Sequence, residues 1–485
     1  MAARPGAPRQ IRLPRLDLWH ALACAGVLFV ATVVGLLAGR DPALGLGFGV
    51  ALVFVWLVLS DLAVGVCLFG FAAFLEVLPG FGSLSFAKVT GALLALSWLA
   101  VIATGRGRER RSFVTAHPVI TTVAVLFVGW VAASSIWAED SGRALTSLSR
   151  YALNLLLFPI VYSAIRNRQH AVAVAVVFIV GALLSALYGS LFAQGQDLGD
   201  GTVRLSGAGV NANTLAFQLV AALVLATGFS VSRGLPIAWR GIAACMAALC
   251  MFTVLITLSR SGVIAIGCAL VAGCLLAGRG RRASMFAVGS VAIVATLLYF
   301  TQLAPEAARE RITTVSGGSG RSDLWTVGMR MVEANPYHGV GSGNFSTASI
   351  HYLLEPGAIV RDDFIVDIPK VAHNIYLEVL AELGVPGLVL FLAILGFALV
   401  CGIRAAGVFS RLEDTRMEIL SRSVVVACIG ILSAEFFASE QYNKPLWLLL
   451  ALGPALLRLA QQAEQAADAA DARAPDDLWA APLRR

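Results

Sequence analysis

Fourteen apolar runs of about 17 to 22 residues fill most of this chain, and that is the length a helix needs to cross a bilayer core of about 30 Å. They fall approximately at 19 to 39, 43 to 60, 62 to 78, 84 to 104, 118 to 138, 151 to 166, 171 to 193, 211 to 231, 237 to 258, 262 to 278, 284 to 302, 385 to 403, 421 to 438 and 444 to 460. In lipid every backbone N–H and C=O must find its partner within the structure, so such runs fold as helices. The expected fold is an all-α polytopic membrane protein. The second and third runs are short and separated only by Ser60-Asp61, so 12 to 14 transmembrane helices are expected. With 58% hydrophobic and 13% charged residues, an ordinary soluble domain is excluded.

The net charge of +7 sits in short arginine clusters between apolar runs, which marks cytoplasmic loops rather than a nucleic-acid surface. If the N-terminus, with Arg4, Arg9, Arg12 and Arg15, starts inside, the inner loops are Gly105 to Ser112, Arg166 to His170, Ser232 to Arg240, Gly278 to Arg282 and Arg404 to Arg422. All are arginine-rich. The outer loops are Gly80 to Ser85, Glu139 to Arg150, Gln194 to Val210, Ser259 to Ser261, a long segment from 303 to 384, and Ser439 to Asn443, which are poorer in basic residues. The expected organisation is a cytoplasmic segment 1–18, a transmembrane bundle 19–302, a large outer loop 303–384, C-terminal spans 385–460 and a cytoplasmic tail 461–485. The eight cysteines lie in or beside apolar runs without C-x-x-C spacing and read as small buried hydrophobes. No internal repeat is evident, and polar residues gather at the outer ends of the helices rather than at mid-span, where a secondary transporter keeps its site.

Four outer-face features stand out. Arg204 lies in a glycine-rich turn leading into Asn211-Ala212-Asn213. Arg260, in Ser259-Arg260-Ser261-Gly262, occupies a turn so short that it sits at the membrane surface, a poor place for arginine unless it has a partner; Glu435, near the outer end of a later span, is an acid that either acts in the site or pairs with Arg260. Arg321 follows Gly320 in the long loop, where a salt bridge with Asp323 is the plain alternative. His373-Asn374 precedes a helix on which Glu378 and Glu382 share one face and which Gly384 and Pro386 terminate. The glycines of Gly339-Val340-Gly341-Ser342-Gly343 fit no phosphate-cradling motif and read as backbone turning after Pro336. No spacing suggests a metal. Guanidiniums converging at the outer surface suit a lipid-linked phosphate or diphosphate. A histidine with an ordinary pKa of about 6.5 adds a group able to take a proton from an attacking hydroxyl.

Taken in order, Arg204 with Asn211-x-Asn213-x-Leu215-Ala216, Ser259-Arg260-Ser261-Gly262, Gly320-Arg321 with Trp325, Asn335-Pro336, Gly339-x-Gly341-x-Gly343-Asn344-Phe345, His373-Asn374-x-Tyr376-Leu377 and Glu382-x-Gly384-x-x-Gly387 resemble the O-antigen ligase and polymerase family over roughly 200 to 400. Many relatives carry Asn-Pro-Asn where this chain has Asn211-Ala212-Asn213. The resemblance implies a GT-C-like glycosyltransferase of the bacterial inner membrane, working at the periplasmic face without metal or cofactor. It implies a donor glycan on undecaprenyl diphosphate and a sugar-hydroxyl acceptor, a glycan or lipid A-core. On that pattern Arg204 and Arg260 would hold the diphosphate, His373 would act as base, and Arg321 would help bind donor or acceptor, with Asn211, Asn213, Asn374 and Glu435 among the substrate-binding candidates. Ligase and polymerase remain alternatives, as do glycan transfer to protein and a lipid-glycan flippase.

Overall fold

The computed structural model describes residues 42–77, 85–104, 112–192, 195–197, 203–278, 282–304, 321–353 and 370–471, with isolated positions between 31 and 39 and between 306 and 309. Most of the first expected span and of the arginine-rich loop at 105 to 112 lies outside them, as do Gly320 and the tail beyond 471. The chain forms two compact units, Met1–Ser60 and Asp61–Arg485. The first contributes the apolar helix α1 (Pro42–Ser60).

In the second unit, α2 (Leu62–Ala72), α3 (Phe86–Ala103), α4 (Pro118–Ala133), α5 (Ser141–Ala164) and α6 (Arg168–Leu191) lead to a hairpin of β1 (Gly195–Asp197) and β2 (Val203–Leu205). There follow α7 (Ala212–Val231), α8 (Ile237–Ile256), α9 (Arg260–Leu276), α10 (Arg282–Leu298), α11 (Arg321–Ala334), α12 (Ile375–Arg411), α13 (Thr415–Ala434) and α14 (Lys444–Asp471). Nine helices among the described residues are long and apolar enough to cross a membrane, and four apolar stretches are shorter, Ala51–Ser60, Leu62–Ala72, Arg260–Leu276 and Gly289–Leu298. The polytopic all-α class therefore holds.

Burial orders the bundle. α13 packs against α7, α9, α12 and α14, and it and α14 are mostly enclosed by protein, whereas α3 and α4 are mostly exposed. A helix apolar on every side is stable in either setting when its surroundings are lipid. A second, smaller core, built on Leu324, Val327, Met331 and Phe345 with Ala372 and Ala381, fastens α11 and the turn at Phe345–Ala348 onto the start of α12.

Two expected loops are structured. Glu139 to Arg150 is not an open loop: Asp140 caps a helix from Ser141, its Oδ1 accepting from Arg143 N at 3.0 Å, so α5 begins a run of polar residues before its apolar stretch. Gln194 to Val210 contains the antiparallel β1–β2 pair, with Gln196 opposite Arg204. Hydropathy is blind to both features, because each is set by local hydrogen bonds in polar sequence.

Candidate active site

His373 is held by its neighbours on both sides. Ala372 O accepts from Trp325 Nε1 at 3.0 Å, and Ala372 N donates to Glu378 Oε2 at 3.2 Å. Asn374 is the N-cap of α12, its buried Oδ1 accepting from Tyr376 N at 3.0 Å and Leu377 N at 3.1 Å. Between them His373 adopts φ +50, a left-handed conformation unusual for a residue with a side chain. Partial burial and the positive charge of Arg321 and Lys370 lower its pKa to about 4. The ring is therefore neutral near pH 7 and a weaker proton acceptor than an ordinary histidine.

The imidazole faces a cavity of about 370 Å³ whose walls also include Arg204, Ser206, Asn211, Asn213, Ser439 and Glu440. Arg204, buried on β2, donates from Nε to Thr257 O at 3.1 Å and from Nη2 to Asn213 Oδ1 at 3.0 Å. Asn211 caps α7, accepting from Asn213 N at 2.9 Å and Thr214 N at 3.0 Å. Glu440 Oε1 accepts from Thr214 Oγ1 at 2.5 Å. Burial is the main cause that raises the pKa of Glu440, Glu76 nearby adds to it, and hydrogen bonds from Thr214, Asn211 and Asn443 partly oppose it. A larger cavity of about 730 Å³ between α7, α8, α9, α10 and α13 is lined almost wholly by apolar side chains. The polar groups that chemistry requires converge in the smaller one.

Glu378 joins two walls of that site. Besides Ala372 N, its carboxyl accepts from Ser439 Oγ and from Gln441 Nε2, the latter at 2.7 Å. One buried side chain thus links the segment bearing His373 to the turn bearing Glu440.

The glycine-rich run has an equally local purpose. α12 breaks at Gly384 (φ +66, ψ −173), which frees carbonyls that an unbroken helix would satisfy. Val340 N donates to Ala381 O and Gly341 N to Glu382 O, each at 2.9 Å, while Trp130 Nε1 donates to Leu383 O at 2.8 Å. The Glu382 carboxyl accepts in return from Gly343 N at 2.7 Å and Phe345 N at 3.1 Å. Gly339, Gly341 and Gly343 all have positive φ, and a Cβ on Gly339 would lie 2.3 Å from the Glu382 backbone. The loop is therefore a joint that grips the broken helix, in keeping with a turning role for its glycines.

Of the sequence-derived candidates, Arg204, Asn211, Asn213 and His373 line one cavity, and the charge of Arg321, at the start of α11, reaches His373. Arg260 is exposed at the first position of α9, after Ser259, whose Oγ donates to Asn213 Oδ1 at 2.9 Å. It adjoins the cavity in sequence without lining it. Asn374 acts as a cap. Pairing of Glu435 with Arg260, one of its two readings, is not made: Glu435 is fully buried, neither of its carboxyl oxygens has a hydrogen-bond partner among the described residues, and Arg260 is exposed. Sequence reading passed over Glu440, although an acid within the five-residue turn Ser439 to Asn443 is the same kind of signal that singled out Arg260.

Residues 243–392 match the family model described as O-antigen ligase. The match takes in Arg260, Arg321, His373, Asn374 and the glycine joint, while Arg204, Asn211 and Asn213 precede it and Glu435 and Glu440 follow it. No curated protein matches the chain.

Proposed function

The chain belongs to the O-antigen ligase/polymerase family, and on that premise we propose that it moves a glycan from undecaprenyl diphosphate to a sugar hydroxyl. The reaction takes place at the periplasmic face of a bacterial inner membrane, with both termini in the cytoplasm, on a GT-C-like scaffold. The observation that carries this reading is the cavity shared by Arg204 and His373, where a buried guanidinium and a neutral imidazole from distant parts of the chain face one space.

Outside the cytoplasm no nucleotide sugar is supplied, so the glycan arrives activated on its lipid carrier. Arg204, held in place on Thr257 and Asn213, offsets the charge that develops on the departing diphosphate, an effect of roughly 3 kcal/mol for a preorganised donor, and the exposed Arg260 swings in to add its charge. No metal is required for that task. His373, neutral near pH 7, donates a ring N–H hydrogen bond to the acceptor hydroxyl oxygen and orients it toward the anomeric carbon; Arg321, beside it, steadies donor or acceptor. A single displacement inverts the anomeric centre.

Deleting the protein in its own host and resolving the surface glycan by gel tests the reading. Loss of long chains with single repeats still attached to lipid A-core assigns the polymerase step, and full-length chains retained on the carrier assign the ligase step. An unchanged surface glycan contradicts both.

A further inference from the structure

The turn between α13 and α14 presents an acid to the cavity that the family resemblance does not use. Glu440 lines it together with Arg204, Asn211, Asn213 and His373, and its carboxyl is fixed from the α7 side by the 2.5 Å hydrogen bond from Thr214 Oγ1. The charged and titratable groups around it are Glu76 in the turn after α2, tied to Lys444 Nζ at 2.5 Å, Arg204 and His373 across the cavity, and the buried Glu378 and Glu435.

We propose that Glu440 takes the proton of the acceptor hydroxyl while His373 positions that hydroxyl, so that Glu440 is the general base of the site. The inference rests on the glycan-transfer reading. In the step, the acceptor O–H bond breaks and its proton passes to the Glu440 carboxylate. The oxygen bonds to the anomeric carbon, and the bond from that carbon to the diphosphate oxygen breaks with its electron pair leaving on the diphosphate. Geometry gives both groups access to one space, and their environments drive them apart in basicity: His373 falls to about 4, while Glu440 rises from the ordinary carboxylate range. Two groups lining one cavity and shifted in opposite directions are the usual signature of divided acid–base labour. Of the two, the carboxylate is the better placed to hold a proton.

The test uses vesicles of the host's own membrane, which contain lipid-linked donor and acceptor, carrying wild type, Glu440→Gln or Glu440→Asp. Released undecaprenyl diphosphate is measured from acidic to mildly alkaline pH, with binding of added undecaprenyl diphosphate measured separately. The expected result is that Glu440→Gln lowers transfer on the order of 100-fold or more and binds undecaprenyl diphosphate as wild type does. Glu440→Asp keeps measurable transfer with a displaced acid limb. Wild-type transfer by Glu440→Gln with an unchanged acid limb overturns the proposal, and so does joint loss of binding and transfer, which makes the residue structural. If wild type itself releases no undecaprenyl diphosphate, glycan transfer fails as the function and the proposal falls with it.

Discussion

Arg204 Nη2 donates to Asn213 Oδ1 at 3.0 Å, and the same oxygen accepts from Ser259 Oγ at 2.9 Å. One amide thereby ties the β hairpin, the first turn of α7 and the turn that carries Arg260. With Arg204 Nε on Thr257 O at 3.1 Å, the guanidinium is aimed before any substrate enters.

That double anchoring separates arginine from lysine. A lysine keeps the charge but lacks the planar fork that meets Thr257 and Asn213 together. Arg204→Lys is expected to lower glycan transfer on the order of 100-fold with normal protein abundance, checked by undecaprenyl diphosphate release from membranes at matched protein levels.

Arg260 is exposed at the start of α9, so its removal leaves no buried group unpaired. Arg260→Ala is expected to insert and accumulate as wild type does while transferring little glycan. Near-normal transfer would remove Arg260 from the diphosphate site.

The joint at Gly384 makes a prediction about folding. Glu382→Ala deletes the acceptor for Gly343 N and Phe345 N and costs on the order of 1 to 3 kcal/mol for each buried donor left unpaired. Gly341→Ala is expected to be harmful too, since its Cβ would sit 2.5 Å from Ala138 Cβ at φ +97. Both variants should lower the thermal midpoint in detergent and speed proteolysis between residues 321 and 353.

His373 links the site to pH. Its folded pKa, about 4, lies below the ordinary 6.5, so the unfolded chain binds more protons between those values and stability rises with pH across that window. As pH falls from about 6.5 toward 4, the thermal midpoint is expected to drop, and to drop less in His373→Gln. An identical slope in both proteins would show that this ring does not contribute.

Hydropathy made the bundle legible because span length and apolarity are one-dimensional properties, and the arginine at each candidate position was visible because charge at the membrane surface is rare. What brings Arg204 and His373 into one cavity is not one-dimensional: it depends on the hairpin, on Asn213 and on Glu378 bridging Ala372, Ser439 and Gln441. The glycines were recognisable as turning points and Gly384 as a helix stop, but not that the two meet, because a non-local joint leaves only two separate motifs in sequence. Glu435 drew attention as an acid in a span, whereas Glu440, five residues on, is the one that lines the cavity. Burial and access decide between two acids, and neither can be read from residue type.

Reconstituting the purified protein in liposomes with lipid-linked donor and a sugar acceptor separates transfer from transport. A transferase releases undecaprenyl diphosphate in step with glycan on the acceptor, and Arg204→Ala and His373→Ala lose both; this is the expected result. Glycan that crosses the bilayer still attached to its carrier, with no undecaprenyl diphosphate released, would make the protein a transporter and overturn the glycan-transfer reading.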